Sequence, residues 1–489
     1  MYSLLKTSYD HAPLLLKKMV CCIPYRYIAG GGYRRTVRLC DRLDHMSRDE
    51  VLFHQQTRLQ ELLEFVVEEV PFYRHLRRAV ERFNPFDALK EFPLLSKAAV
   101  QQHADVLVPD CLECIPHHRG TTGGSTGNQL VILEDESVYA REKGYIHAQW
   151  RRVGYAPGCR KATFRGVPFH RITDSCFWQE NPIHNELQFS PFHMSEDNLQ
   201  HYIRKLLVYK PQFLHGYPSA IDVLAEYVLR HELTSALPRI QAALLVSEAC
   251  SEAQRQRIEA AFRTCVYTFY GHSERTVLGG ECEKSHCYHA LPTYGVLEIL
   301  DESGDSCEAG ESGEIVGTGF LKRAMPLIRY RTDDVAMREP YQCECGRCWD
   351  RFSHVLGRWT LEGVIVGKSG ARISAAALNV HGDVFANVVR YQYYQSKRGE
   401  LEIHIIPNVR FRECDRESIR IAHEQKLWGE VRVRVVPVRH IALTPSGKQR
   451  RVVSVCHADP LPHMQPPDRS VRCGAPPSTD VSRMQEVRG

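Results

Sequence analysis

Long apolar runs are missing from this sequence of 489 residues. No stretch approaches the roughly 18 apolar residues that a membrane-spanning helix needs. Residues 1–35 mix apolar and basic side chains but lack the apolar core and small-residue cleavage site of a signal peptide, so we expect a cytoplasmic protein. We expect this segment to form a first helix packed on the main domain, with peripheral membrane contact as the alternative.

A strong charge of one sign is also missing. The net charge is only +5 and no nucleic-acid-binding motif is present, so nucleic acid is not an expected partner. The 18 cysteines are not accompanied by an export signal. We therefore expect reduced, buried or metal-bound thiols rather than a disulfide framework.

The patterns that are present predict an α/β fold. Helical periodicity dominates residues 41–80 and breaks at Pro71. Further on, predicted helices alternate with short apolar strands, which favours a largely parallel sheet. The predicted helices cover residues 196–209, 219–231 and 251–262, and the predicted strands cover residues 212–215, 240–246 and 265–269.

The predicted domain organisation has four parts. Residues 1–100 form a helical region packed on the core, and residues 101–356 form a large domain with parallel-sheet subdomains and a β-rich subdomain. Residues 357–458 form a small α+β domain. Residues 459–489 are rich in Pro, Ser and Arg and lack periodicity, which is typical of a disordered tail.

Four local motifs carry candidate chemistry. The glycine-rich segment 120–127 is not a Walker A loop, but its N–H groups and hydroxyls suit phosphate oxygens; a flexible linker is the alternative. Segment 270–274 follows a predicted strand, where α/β enzymes bind ligands. The acidic residues of 326–334 suit ribose hydroxyls, and Lys448 suits a phosphate or a carboxylate. Each of these three, taken alone, also fits an ordinary cap, ion pair or exposed lysine.

The order and spacing of these motifs resemble the acyl-adenylate-forming superfamily, and most closely its phenylacetate–CoA ligase-like branch with the CapK-type proteins. The resemblance covers residues 41–455; segments 213–228 and 246–262 resemble that branch's Gly-Tyr-Pro-Ser and Ser-Glu stretches. It implies the adenylate-forming fold, with ATP, Mg²⁺ and CoA as cofactors and a carboxylic acid as substrate. It also implies that the small C-terminal domain is mobile and rotates between two half-reactions.

The resemblance further implies residue roles. Glu274 would bind Mg²⁺, Lys448 would contact the carboxylate and the phosphate during adenylation, and Arg358 would lie at the interdomain boundary. The nucleotide would be bound by Thr122, Gly124, Ser125, Thr126, Gly127, Tyr270, Gly271 and Asp334. The acid pocket would be lined by Tyr217, Ser247, Glu248 and His272.

The sequence also departs from the family pattern. Gly123 and Gln129 differ near the phosphate loop, Asp333 stands where the family has Gly, and Thr360 stands at the hinge. These departures keep three functions open. The first is an AMP-forming carboxylate–CoA ligase, and the second transfers the acyl group to an amine or hydroxyl acceptor, as in polysaccharide assembly. The third is a catalytically silent binding protein. The sequence identifies neither the acid nor the oligomeric state.

Cysteine spacing gives a separate prediction. Cys345 and Cys348 form a C-x₂-C pair beside Cys343, which is typical of half of a structural zinc site. The predicted ligands are Cys282, Cys343, Cys345 and Cys348, with Cys287 and His289 as alternates. The alternative is a set of reduced thiols without metal.

Overall fold

The protein is described by a computed structural model that covers residues 14–20, 23–121, 130–167, 169, 172, 176–356, 363–375, 377–378, 380, 383–441 and 451–456. The α-helices of these residues are α1 Leu14–Val20, α2 Tyr25–Ile28, α3 Gly30–Leu43, α4 Arg48–Glu69, α5 Arg77–Arg82, α6 Pro85–Lys90, α7 Lys97–Gln102, α8 Val138–Arg151, α9 Glu196–Tyr209, α10 Pro218–Arg230, α11 Glu252–Phe262 and α12 Glu413–Leu427. Within the described ranges, no helix combines the length and apolar character needed to cross a bilayer.

Local sequence signals explain where the main helices begin and end. Helix α4 starts with a capping box in which Ser47 and Glu50 satisfy each other's backbone N–H groups, and it ends just before Pro71. Helix α9 has the predicted bounds and ends at Lys210, whose left-handed φ of 51° closes the last turn. Helix α11 begins with a second capping box, at Ser251.

The first strands build a hairpin and a mainly parallel sheet. Strands β1 His117–Thr121 and β2 Val131–Asp135 pair antiparallel. The six-stranded sheet has the order β4-β5-β3-β6-β7-β8, and only the edge pair β4–β5 is antiparallel. Its strands are β3 Lys161–Phe164, β4 Trp178–Asn181, β5 Glu186–Phe189, β6 Phe213–Gly216, β7 Ala242–Leu245 and β8 Cys265–Tyr267. The predicted parallel sheet is therefore confirmed.

The predicted strand 265–269 is confirmed only for residues 265–267, because the chain changes sheets at Thr268. Residues Cys265–Tyr267 stay in the parallel sheet, whereas β9 Phe269–Gly271 joins a seven-stranded antiparallel sheet. Between them, Thr268 donates its N–H and its hydroxyl to Glu281, each at 2.7 Å. The order of the second sheet is β12-β13-β14-β15-β11-β10-β9, with β10 Leu278–Glu281, β11 Tyr288–Ala290, β12 Gly295–Leu300, β13 Ser312–Gly319, β14 Tyr330–Glu339 and β15 Arg351–Leu356.

The C-terminal part is a small α+β unit. Strands β16 Val364–Val366 and β17 Arg372–Ser374 form a hairpin. A four-stranded sheet of order β20-β19-β18-β21 packs against α12; its strands are β18 Val388–Gln395, β19 Glu400–Pro407, β20 Arg432–Pro437 and β21 Val452–Ser454. The predicted domain boundary at 357 and the predicted tail 459–489 lie outside the described residues.

The two faces of the parallel sheet differ in character. One face packs against α9, α10 and α11 in the largest apolar cluster, which continues into the C-terminal unit. The face toward α8 carries a buried polar layer in which Lys161 and Glu186 form an ion pair at 3.6 Å. At the edge of this layer, the ring of Tyr25 on α2 lies 5.1 Å from that of His184. Tyr25 on α2 thus packs against the main domain.

Candidate active site and metal centre

The candidate site lies where the parallel sheet meets the antiparallel sheet. Strands β6 and β7 end at the same edge, and β8 leads from that edge into β9. Residues that follow parallel strands collect at their carboxyl ends, which is where α/β folds bind ligands. The predicted residues Tyr217, Ser247, Tyr270 and Glu274 therefore come from neighbouring chain segments.

Glu274 is a buried carboxylate held by two hydrogen bonds. The Tyr330 hydroxyl donates to Oε1 at 2.9 Å, and the Nδ1 atom of His272 lies 3.3 Å from Oε2. Burial opposes ionisation of this carboxyl group, but the contacts with His272 and Tyr330 outweigh burial and hold its pKa below the ordinary value. An ionised carboxylate is the kind of hard oxygen ligand that Mg²⁺ prefers, so Glu274 fits its predicted role.

A second buried carboxylate, Asp334, is tied to the same segment. The Tyr270 hydroxyl donates to Oδ2 of Asp334 at 2.9 Å. This bond runs from segment 270–274 to segment 330–334, and the bond from Tyr330 to Glu274 runs in the opposite direction. Two motifs that the sequence presents separately therefore form one unit. The sequence motif 326–334 contains Tyr330 but gives no sign of its role.

Asp333, the residue before Asp334, has a left-handed backbone. Its φ is 59°, and its N–H donates to Glu314 Oε1 at 3.2 Å. Glycine adopts this conformation without strain, whereas a side chain with a Cβ atom does not. The conformation gives a physical reason for the glycine that the resembled family has at this position.

The predicted pocket residues surround the ends of β6 and β7. Gly216, at the end of β6, has φ of 150°, and a Cβ atom here would lie 2.2 Å from the Phe164 carbonyl oxygen. The next residue, Tyr217, is buried, and its hydroxyl accepts the Gly166 N–H at 3.3 Å. Glu248 accepts the Ser219 N–H at 3.1 Å, and burial raises the pKa of its carboxyl group.

Ser247 is a second strained position at this edge. Its φ is 67°, a region that residues other than glycine rarely adopt. Such strain is characteristic of functional sites. The remaining predicted residues lie outside the described part of the chain: Thr122, Gly124, Ser125, Thr126, Gly127, Arg358 and Lys448.

A separate cluster of soft donors lies at the end of the β10–β11 hairpin. The ligand atoms of Cys282, His289, Cys343 and Cys345 all lie within 4.8 Å of one another. The Cys282 and Cys343 sulfurs are 3.7 Å apart, and Cys345 Sγ is 3.3 Å from His289 Nε2. Ligands at zinc bond lengths of about 2.3 Å for sulfur and 2.0 Å for nitrogen lie about 3.5–3.8 Å apart in a tetrahedron, so the donor set fits zinc.

The geometry of this cluster differs from the predicted ligand set at one position. His289, an alternate in the prediction, lies in the cluster, whereas Cys348 and Cys287 do not. The reason is the turn at Gly346, whose φ is 84°. The Cys348 thiol instead contacts the Gly346 carbonyl oxygen at 3.7 Å. Sequence spacing alone could not show the direction of this side chain.

Three comparisons bear on identity. No protein-family model matches the chain. The chain is 22% identical to protein CapK of Staphylococcus aureus over 471 residues, which cover 92% of this chain and 99% of CapK. It is 25% identical to phenylacetate-coenzyme A ligase of Thermus thermophilus over 337 residues, covering 65% of this chain and 72% of that enzyme.

The fold is also found among solved structures. The structure of 2-hydroxyisobutyryl-CoA ligase in complex with 2-HIB-AMP and CoA matches with a TM-score of 0.53 and 18% identity, covering 84% of this chain and 90% of that one. This likeness shows the adenylate-forming fold, with its mixed parallel and antiparallel sheets. In sequence, the chain is similar to CapK and to phenylacetate-coenzyme A ligase over most of its length.

Proposed function

We propose that the protein activates a carboxylic acid with ATP to an acyl-adenylate and transfers the acyl group to CoA. The observation that carries this proposal is the pair of buried carboxylates, Glu274 and Asp334, joined across β9 and β14 by two hydrogen bonds from tyrosines. Two buried anions in one site call for cationic or hydroxyl-bearing ligands. A nucleotide with its metal ion offers both.

The proposed reaction has two balanced steps. A carboxylate oxygen attacks the α-phosphorus of ATP, and pyrophosphate leaves. The CoA thiolate then attacks the acyl carbonyl carbon, and AMP leaves. In this scheme Asp334 accepts hydrogen bonds from the ribose hydroxyls and Glu274 holds Mg²⁺, which would neutralise phosphate charge when bound.

The first step brings two anions together, so a further cation is needed near the attacking oxygen. Lys448 is assigned that role on the strength of the family resemblance, and segment 120–127 is assigned the phosphates. Tyr217, Ser247, Glu248 and His272 are assigned to the acid pocket. These side chains suit more than one acid.

A second acceptor class follows from the resemblance to the CapK-type proteins. The match to CapK extends over 99% of that protein, whereas the matched ligase of Thermus is covered over 72%. The alternative function is transfer from the acyl-adenylate to an amine or hydroxyl, which uses the same first step.

We also propose that the cluster of Cys282, His289, Cys343 and Cys345 binds a structural zinc ion. The cluster joins the β10–β11 hairpin to the loop between β14 and β15. The Lys284 N–H lies 3.3 Å from the Cys282 sulfur, and such contacts support thiolate ligands. Four protein ligands leave no open position, which is characteristic of a structural zinc site rather than a catalytic one.

The adenylation proposal is tested by pyrophosphate release from ATP and Mg²⁺ across a panel of carboxylic acids, with and without CoA. We expect release that depends on one class of acid and thioester formation that depends on CoA. Lys448→Ala should abolish release and leave ATP binding intact, while Lys284→Ala serves as the control. Acid-dependent release without a thioester, together with amide or ester formation, would favour the alternative acceptor. No release from folded protein that binds ATP would favour a silent binding protein.

A further inference from the structure

Lys322 is a buried cation for which neither the sequence motifs nor the proposed function provides a role. It follows β13 and is only 2% exposed. Its Nζ atom has no hydrogen-bond acceptor, and no ion pair involving it is found among the described residues. Burying an ammonium group without a partner has a large free-energy cost, so such groups are rarely retained for stability alone.

The fold places Lys322 beside the candidate nucleotide site. The N–H groups of Arg323 and Ala324 donate to Asp135 Oδ1, each at 2.9 Å, and this fixes the segment at the end of β2. On the other side, a Cβ atom on Gly319 would meet the Arg275 carbonyl oxygen at 2.8 Å, so β13 runs directly against the residues that follow Glu274. Lys322 therefore belongs to a segment that contacts both the residues after Glu274 and the strand that leaves the predicted phosphate loop.

The two acidic side chains that interact most strongly with Lys322 are already engaged by other partners. Glu134 accepts from Arg275 Nε at 3.0 Å, and Glu274 accepts from Tyr330. Burial lowers the pKa of Lys322 to about 8, while Glu134 and then Glu274 act in the opposite direction. The amine is thus mainly charged at neutral pH and lies near both carboxylates without bonding to either.

We propose that Lys322 binds a non-bridging oxygen of the β- or γ-phosphate of ATP, on the pyrophosphate side of the site. The inference rests on the proposed function. Lysine acts as a point charge toward phosphate, and a phosphate oxygen would supply the acceptor that the buried ammonium group lacks. The β/γ side follows because Lys322 lies near Glu274, whereas Asp334 and Tyr270 mark the ribose end.

The test compares ATP and AMP binding to Lys322→Met by calorimetry, without acid so that no turnover occurs. Loss of one charge-assisted contact should weaken ATP binding by about 10- to 100-fold and leave AMP binding within about twofold. The exposed neighbour supplies the matched control, Arg323→Met, which should bind both nucleotides like the wild type. The melting temperature of Lys322→Met should not fall, because methionine removes an unpaired buried charge.

Unchanged ATP affinity in Lys322→Met would overturn the inference, and so would an equal loss of ATP and AMP affinity. If Lys322→Met lowers the melting temperature, the binding measurements are made on Lys322→Gln. A similar fall in the melting temperature of Lys322→Gln would show a structural role and also overturn the inference. If the wild type and Lys322→Met bind ATP and form acyl-adenylate equally well, the role of Lys322 is rejected and the proposed function stands. Wild-type protein that binds neither nucleotide would reject the proposed function as well.

Discussion

Replacing Tyr330 by phenylalanine probes the hydrogen bond that orients Glu274. The Tyr330 side chain is fully buried, and its hydroxyl donates to Glu274 Oε1 at 2.9 Å. The substitution removes one oxygen and leaves the ring and its packing in place. A buried carboxylate oxygen then loses a donor that no solvent molecule can easily replace.

The expected magnitude follows from the charge on the acceptor. Hydrogen bonds to ionised groups contribute about 1.5–3 kcal/mol, so the free energy of unfolding should fall by about 2 kcal/mol. Glu274 would also lose part of its orientation toward a metal ion. Removing the hydrogen-bond partner of a metal ligand typically weakens metal binding by about 10- to 100-fold.

The assay measures the free Mg²⁺ concentration that gives half-maximal acid-dependent pyrophosphate release, together with a urea unfolding curve. Tyr288→Phe is the matched control, because the Tyr288 hydroxyl lies 2.7 Å from the neutral hydroxyl of Thr268, away from both carboxylates. The control should lose about 1 kcal/mol and keep its Mg²⁺ dependence. Wild-type Mg²⁺ dependence in Tyr330→Phe would refute the assignment of Glu274 as the metal ligand.

Three further predictions concern the metal cluster, the backbone and pH. Protein produced with zinc available should carry about one zinc per chain, and His289→Ala should lose it while Cys348→Ala keeps it; zinc-free wild-type protein by metal analysis would contradict the site. Asp333→Gly should raise the free energy of unfolding by about 0.5–1 kcal/mol, because glycine relieves the strain of a φ of 59°, and Glu302→Gly, in an exposed turn, should not. Burial lowers the pKa of His423 to about 4. Between pH 6.5 and 4 the unfolded chain therefore takes up a proton that the folded chain does not, so the free energy of unfolding should decrease as the pH is lowered. In urea unfolding, His423→Gln should reduce the pH dependence of the free energy of unfolding by up to about 1.4 kcal/mol per pH unit. An unchanged pH dependence would contradict the lowered pKa of His423.

The sequence was sufficient for those features that depend on local interactions. Helix α9 has its predicted bounds, and it ends where Lys210-Pro211 cannot continue it. The Ser195 side chain precedes the helix but makes no capping hydrogen bond. The parallel sheet followed from the alternation of helices and apolar strands. The chain's change of sheet at Thr268 was not predictable, because it depends on hydrogen bonds to Glu281, a residue 13 positions away.

In the candidate site, too, local motifs were predictable from the sequence and long-range contacts were not. The motifs at 270–274 and 330–334 were recognisable one by one, but the hydrogen bonds that join them span 64 and 56 positions. The sequence offered both His289 and Cys348 as ligands, but only His289 lies in the cluster. The Cys348 thiol follows a turn at Gly346 and contacts the Gly346 carbonyl oxygen instead. Lys322 gave no signal, because a single lysine after a strand is ordinarily exposed. Side-chain direction and burial are properties of the packed fold, and spacing does not encode them.

The most direct test of the central claim uses a carboxylic acid labelled with ¹⁸O in its carboxylate, incubated with the protein, ATP, Mg²⁺ and CoA. Attack of the carboxylate on the α-phosphorus transfers one labelled oxygen to AMP, so mass spectrometry should find AMP carrying one ¹⁸O beside unlabelled pyrophosphate. Label in inorganic phosphate with formation of ADP, or unlabelled AMP, would contradict the formation of an acyl-adenylate.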